Sequence, residues 1–385
     1  MMRKTICMRG ADAAELLYDD ARCRRRGAAP EPVKATLFGK GGVQGLDGAA
    51  HRSRKHMLLL LCSPERARRL AATFSAELRT SASRWANREI VLYDALHPVL
   101  VRAVCRWAEV PLQNDEVSAR AADIVAMFDK PASSFASHLR TRFARRRLER
   151  WAADIVKRVR TARLGVNEGS ALNTIAWHAD DGYKLLRPRI AAVELLNLIR
   201  PTVAVSVYIV HAMHALHRHP QWNALLAEAD WGGDTLDRFV QEVRRHYPFF
   251  PAIAARVRKD FVWRGMRFPR GRRLLLDVYG TNHDERVWAD PEEFRPDRFL
   301  EQRPTPYDFI PQGGADPRTG HRCPGEAIAI ELMKAALRFL HRDVRYSLPP
   351  QDWTLDYSRL PALPCDRVRL RDVQFRDSRR KPLDR

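Results

Sequence analysis

The chain has 385 residues, 45% of them apolar, and a net charge of +21. That length suits one large domain or two ordinary ones, with enough apolar content for a sizeable core. Six cysteines without Cys-x-x-Cys spacing argue against a disulfide framework or a zinc ribbon, and the N-terminus lacks the apolar core of a signal peptide, so a cytoplasmic protein is expected.

In chain order, KTICM reads as a short strand and ADAAELLYD as a short helix. A glycine-rich loop, LFGKGGVQGLDG at 37–48, follows, and a helix opens near Ala49. The loop lacks Gly-Lys-Ser/Thr and misses Gly-x-Gly-x-x-Gly by one residue, so it is not read as a phosphate loop. On the next helix His51 and Lys55 stand one turn apart on one face. From there to Arg245 the pattern is largely helical, broken at RLGVNEGS and at the polar loop HADDGYKLLRP. Within 145–160, Leu148, Trp151, Ile155 and Val159 recur at spacings of three and four. The arginines between them fall on the outer face of an amphipathic helix. No zinc finger, RNA-binding signature or basic zipper accompanies them, so a solvated face is expected rather than a nucleic-acid stripe.

Residues 191–216 read as a long helix, apolar on most faces and therefore central. Its longest apolar stretch, 193–210, holds Glu194, Asn197, Arg200 and Pro201, and that charged centre argues against a transmembrane span. Arg200 needs an anion. Glu194, six residues back, lies about 120° around the helix and is a poor partner. The anion must come from elsewhere in the fold or from a ligand. Pro201 cannot donate to the Asn197 carbonyl, so a kink is expected. The histidines of HAMHALHRHP lack a carboxylate and read as helix-end side chains rather than zinc ligands. After Tyr247, PFFPAI reads as a turn, FVWRGMRF and RRLLLDVYG as strands, and NHDERVWADPEEFRPDRFL as coil. The class is mainly α with a small β part, in one domain over residues 1–385.

The stretch GHRCPGEAI at 320–328 opens a last helix, from about Pro324 to His341. Pro324 suits a first helical position, where a missing N–H costs nothing. Cys323 then sits at a helix N-terminus, where free N–H groups and the dipole favour a thiolate, with His321 and Arg322 as cationic donors beside it. Such a thiolate can be a nucleophile, a redox sensor or a metal ligand; a buried, helix-capping cysteine is the reading without chemistry.

This loop resembles the cysteine-ligand signature of the haem-thiolate cytochromes P-450, above all the bacterial fatty-acid peroxygenase branch, whose loop is lengthened in the same PQGG…GHRCPGE style. VQEVRRHYPFFP supplies a Glu-x-x-Arg pair, Glu242 and Arg245, and DPEEFRPDRF matches the meander whose arginine, Arg295, joins that pair. The resemblance runs from about Lys4 to Arg369. It implies a cytochrome P-450 fold with haem b, its iron held by Cys323, and with His51, Lys55, His321 and Arg322 binding the cofactor. No acid–threonine pair stands in the central helix; Arg200–Pro201 occupies that region. In the peroxygenase branch the arginine holds a fatty-acid carboxylate, which acts as general acid–base for hydrogen peroxide, and no redox partner is required. Gln44 is implied to face the distal pocket, and Phe38 and Phe249 to border the substrate. Relatives that form terminal alkenes tend to carry His where Gln44 stands, so hydroxylation at the α or β carbon is the expected reaction. The alternatives are decarboxylation, a redox-partner-dependent monooxygenase, and a haem- or lipid-binding protein without turnover. Relatives of this branch begin with a further helix and strand ahead of TICM, so a sheet edge short of them is expected. Ala315 stands where the branch has Gly; at positive φ it would cost on the order of 1 kcal/mol.

Overall fold

The computed structural model describes residues 4–129, 134–180 and 184–376; residues 181–183 of the polar loop lie outside it. Eight helices carry the argument: α1 (Ala11–Tyr18), α2 (Gly48–Leu61), α3 (Pro64–Ala82), α4 (Leu92–Ala108), α5 (Phe135–Arg160), α6 (Pro188–Arg218), α7 (Gly233–His246) and α8 (Glu326–Arg338). Their starts follow local chemistry. Ser63 caps α3, accepting from Arg66 N at 3.4 Å, and Pro64 takes the first position; Ser134 caps α5, accepting from Ser137 N at 3.1 Å.

Helix α6 is apolar nearly all round, so it must be enclosed. Helices α4, α5, α7 and α8 pack against it, and from Ala191 to Leu216 every residue except Pro201 is buried. Among the described residues it is the one helix long and apolar enough to cross a membrane, but 89% of its most apolar window is covered by the fold itself. The helical assignment runs unbroken through Pro201.

A four-stranded sheet has the order β1-β5-β4-β2, from β1 (Thr5–Met8), β2 (Cys23–Arg24), β4 (Ala252–Val257) and β5 (Arg273–Asp277). Strand β1 runs parallel to β5 as the edge, Thr5 opposite Arg273, and β4 pairs antiparallel with β5. A second sheet joins β3 (Ile90–Val91), β6 (Val344–Ser347) and β7 (Arg369–Phe375). The central strand β4 begins where only a turn was read. FVWRGMRF is not one strand but a hairpin, turning at Arg264 (φ 49°) and Gly265 (φ 72°). The first sheet and α1 bury Met8, Leu16, Leu17, Leu274 and Leu276 together with Ile310, and so anchor the start of the cysteine loop.

The loop's other anchor is ionic. Glu242 and Arg245 on α7, both fully buried, form a two-pronged pair at 2.8 Å for each contact. Arg245 also donates to the carbonyls of Asn282 (3.0 Å), Pro291 (2.9 Å) and Glu293 (3.0 Å). The third member is not Arg295, whose side chain is turned outward, 3.9 Å from Asp290 and 3.8 Å from Glu301. It is Arg298, buried, with Nε 3.2 Å from Glu242 and its other nitrogens on the carbonyls of Ala289, Asp290 and Glu293. Arg295 contributes only its backbone N–H, 2.8 Å from Glu242. The two arginines stand three apart in one motif, and only burial separates their roles. Trp288 is flanked by both buried guanidiniums, 5.5 and 5.9 Å from its ring centroid.

Arg298→Ala removes one of the two buried guanidiniums on Glu242 and leaves the Ala289 carbonyl without this donor, so denaturant unfolding of the haem-loaded protein should show a loss of about 2–3 kcal/mol. Arg295→Ala should stay within about 0.5 kcal/mol. Equal effects would refute this division of roles.

Candidate functional site

The cysteine loop is held from several sides. Cys323 N donates to Gln312 O at 2.9 Å, and Gly314 N donates to the Tyr18 hydroxyl, at the end of α1, at 2.8 Å. A Cβ at Gly313, which has φ 99°, would lie 2.8 Å from that hydroxyl, so only glycine fits. Ala315 adopts φ 68°, so the condition under which an alanine there is strained is met. The helix after the cysteine begins at Glu326, so Pro324 lies in the turn before the cap rather than at the first helical position. Arg322 does not point to open space: its Nε is 2.8 Å from Glu326, which Arg244 also binds. The half-buried Cys323 thiol is pushed up by desolvation, against the pull of the Gly325 N–H, Lys55 and Arg200.

Beside the loop, α2 brings His51 against His321, their rings stacked 3.8 Å apart. Burial, with Lys55 adding to it, pushes His51 down to about 4, and burial pushes His321 further down. Burial thus works against the cationic His321 expected from the sequence, and both rings can offer N–H groups. Lys55 is buried and donates to the Arg322 carbonyl; burial pushes it down to about 8. Sequence reasoning missed Arg25, which is buried and within electrostatic reach of both histidines. One Arg25 nitrogen holds Ala254 O at 2.7 Å and the other has no partner. Nothing in ARCRRRG marks this arginine out from its neighbours.

On α6, Arg200 is buried, and its Nε has no hydrogen-bond partner. Among the described residues no carboxylate reaches it. Burial, then Arg145, push it down to about 9, with Cys323 opposing, so it stays charged at neutral pH. Glu194, a poor partner for Arg200 as read, is spoken for: it takes Arg54 at 3.0 Å and Val43 N at 2.9 Å. Arg54 spans from there to Asp180, at 2.9 and 2.6 Å. Glu194 also accepts from Asn197 Nδ2 at 3.1 Å, and the same Nδ2 donates to Gln44 Oε1 at 3.1 Å.

That chain fixes amide polarity. Burial pushes the Glu194 carboxyl up, while Asn197, Arg54 and the Val43 N–H pull it down; accepting from Arg54 and Val43, it takes the Asn197 NH2 as a third donor, and the same NH2 meets Gln44. Gln44 must then present its oxygen to Asn197, which leaves its own NH2 to face elsewhere. The glycine-rich loop comes close to α6: a Cβ at Gly42 would lie 2.8 Å from Asn197 Nδ2 and 2.9 Å from Val193 Cγ1. Gly39, Gly41 and Gly42 thus serve close contact with α6, whereas Gly45 and Gly48 have open space beside them. Arg54 was not singled out, and Glu194 and Asn197 were not joined to it or to Gln44, because those partners lie far away in sequence.

Of the two expected pocket phenylalanines, Phe38 ends a π-turn at 34–38, and its carbonyl accepts from Arg145 at 3.2 Å. Phe249 stacks on Tyr208 of α6 at 4.2 Å. Both are half-buried. Pro201, also half-buried, follows Arg200 on α6. A sulfur on a loop fitted by glycine, an orphaned Arg25 nitrogen beside two imidazole donors, and an orphaned guanidinium nitrogen across the site suit a flat, dianionic, sulfur-ligated group such as haem.

A sequence model described as cytochrome P-450 matches residues 234–361. Among curated proteins, "Cytochrome P-450 4e5, mitochondrial" of Drosophila mettleri is 35% identical over 107 residues, which are 28% of this chain and 20% of that protein. Solved structures match far more of it. Cytochrome P450SP alpha, solved with (R)-ibuprofen, is 49% identical with a TM-score of 0.94, covering 97% of this chain and 91% of that one. Cytochrome P450EX alpha, solved with myristic acid, is 41% identical with a TM-score of 0.93, covering 97% and 90%. A variant of the cytochrome P-450 OleT, solved with arachidonic acid, is 30% identical with a TM-score of 0.92, covering 97% and 89%. With half its residues shared across nearly the whole of one such structure, the chain belongs to the cytochrome P-450 family, in its bacterial fatty-acid peroxygenase branch.

Proposed function

We propose that the protein uses hydrogen peroxide to hydroxylate long-chain fatty acids at the α or β carbon, without a redox partner. The observation that carries this reading is Arg200, a buried cation that no carboxylate reaches among the described residues. A fatty-acid carboxylate supplies the missing charge through a charge-assisted, two-pronged contact, while its tail lies in an apolar channel. Cys323 would ligate haem b, and Arg25, His51, His321 and Lys55 would face its propionates, with Arg322 braced on Glu326. Bound haem supplies the oxidising chemistry, transferring one oxygen atom of the peroxide to carbon.

This chain's residues position that reaction. Arg200 keeps the carboxylate ionised and fixed. The carboxylate oxygen accepts a proton from one peroxide oxygen and returns it to the other, which leaves as water. The remaining oxygen enters a C–H bond next to the head group, giving a hydroxy acid and one water from each peroxide. Asn197 holds Gln44 so that its NH2, a hydrogen-bond donor without a titratable proton, is free for the distal side. That supports hydroxylation over loss of carbon dioxide.

Haem-loaded protein given myristic acid and hydrogen peroxide, without reductase or NAD(P)H, should yield 2- or 3-hydroxymyristate by mass spectrometry. Arg200→Ala should lower that yield at least about 100-fold, since anchor and acid–base are lost together. A terminal alkene as main product, or dependence on NAD(P)H, would overturn the reading. Asn197→Ala frees the Gln44 amide and should cut kcat about tenfold while moving KM little, with an unchanged carbon monoxide difference spectrum. An unaltered kcat would dismiss the fixed-amide argument.

A further inference from the structure

The N-terminal half of α5 presents a face that the described fold leaves uncovered. Phe135, Leu139 and Phe143 recur every four residues along it and are 79%, 36% and 54% exposed. That spacing keeps them in one row on the helix. The opposite side, with Thr141, Ala144, Arg145 and Leu148, faces the core. Single exposed apolar residues are ordinary on a protein surface, but a row of two phenylalanines and a leucine is not.

The same face continues in arginine. Arg140, Arg146 and Arg150 are exposed, and none pairs with a carboxylate among the described residues. Arg146 lies 5.9 Å from the Phe143 ring centroid, and Arg150 donates to the Arg146 carbonyl. A purely solvated basic helix would not need the phenylalanines. An acidic protein partner would account for the arginines alone. A convex helix with an apolar row along one edge and unpaired guanidiniums beside it has the chemistry of an interfacial helix, whose apolar side chains sit at the acyl boundary while its cations meet lipid phosphates. The stretch from Phe135 to Arg150 is about 22 Å long, enough to lie in the membrane plane. The net charge of +21 adds long-range attraction to such a surface.

We infer that the exposed face of residues 135–150 docks the protein on anionic lipid bilayers, with Phe135, Leu139 and Phe143 at the acyl boundary and Arg140, Arg146 and Arg150 on the phosphates. This goes beyond the proposed reaction and does not depend on it.

The test is co-sedimentation of the haem-loaded full chain, without fatty acid, with vesicles of phosphatidylcholine alone or mixed equally with phosphatidylglycerol. Binding is expected to the mixed vesicles, to weaken as salt rises, and to be slight with phosphatidylcholine alone. The double variant F135S/F143S should bind at least about tenfold more weakly, and each of R140Q, R146Q and R150Q about fivefold. All these side chains are exposed, so the carbon monoxide spectrum and the unfolding midpoint should not move. Three outcomes would overturn the inference. The first is no binding to mixed vesicles. The second is binding that survives F135S/F143S but fails in the arginine variants, as for a charge-only contact with an acidic protein. The third is a wild-type dimer, by light scattering, that becomes monomeric in F135S/F143S, which would assign the face to a second copy.

Discussion

The enclosure of α6 on every side is the constraint from which the rest follows. A helix with no solvent face cannot leave a polar side chain to water, so each one must find a partner inside the fold. Glu194 finds Arg54 and the Val43 N–H, Asn197 finds Gln44, and His211 reaches the Ala362 carbonyl at 2.8 Å. His214 contacts the Tyr247 hydroxyl at 2.6 Å. After those pairings, among the described residues, the buried charge of α6 without a carboxylate is Arg200. A buried guanidinium without a counter-ion costs several kcal/mol, and a ligand carboxylate can offset that cost. The same enclosure therefore leaves Arg200 as the charge that the proposed carboxylate would meet.

The polar network around Glu194 has a second consequence. It gives direction to two amides that could otherwise point either way. The acceptor-only carboxylate sets Asn197, and Asn197 sets Gln44, so a charge one turn or more along the helix decides which atoms Gln44 offers to its surroundings. Arg54 extends the network outward to Asp180, which is 25% exposed. Rigid placement of this kind suits a site in which the substrate brings its own acid–base group and the protein has only to hold partners still.

Two anchors, one apolar and one ionic, hold the cysteine loop against this helix. The small sheet and α1 grip its start through Ile310 and the Tyr18 hydroxyl. The Glu242–Arg245–Arg298 cluster fixes the meander that leads into it. On the far side, Arg244 and Arg322 converge on Glu326 in the first turn of α8. Cys323 is thereby presented at a defined place even though its own surroundings raise the thiol pKa.

Periodicity and local motif carried most of what concerns single elements. The 3.6-residue pattern marked the long helices, the mixed apolar run marked α6 as central, and the order of Glu-x-x-Arg, meander and cysteine loop marked the family. Arg200 was legible as a problem because a charge amid apolar residues needs no coordinates to look costly. What sequence could not supply were choices between like residues made by contacts remote in the chain. Arg298 rather than Arg295 completes the buried cluster, Arg25 rather than its neighbours joins the imidazoles, and Glu194 belongs to Arg54. Strand β4, half-buried and paired on both sides, was hidden in AIAARV because its identity as a strand rests on β2 and β5. Sequence alone determined the elements, the class and the chemistry on offer, since these depend on neighbours within a few residues. Only the tertiary structure decided which buried charges found a partner among the described residues and which did not, because that depends on what burial brings together across the chain.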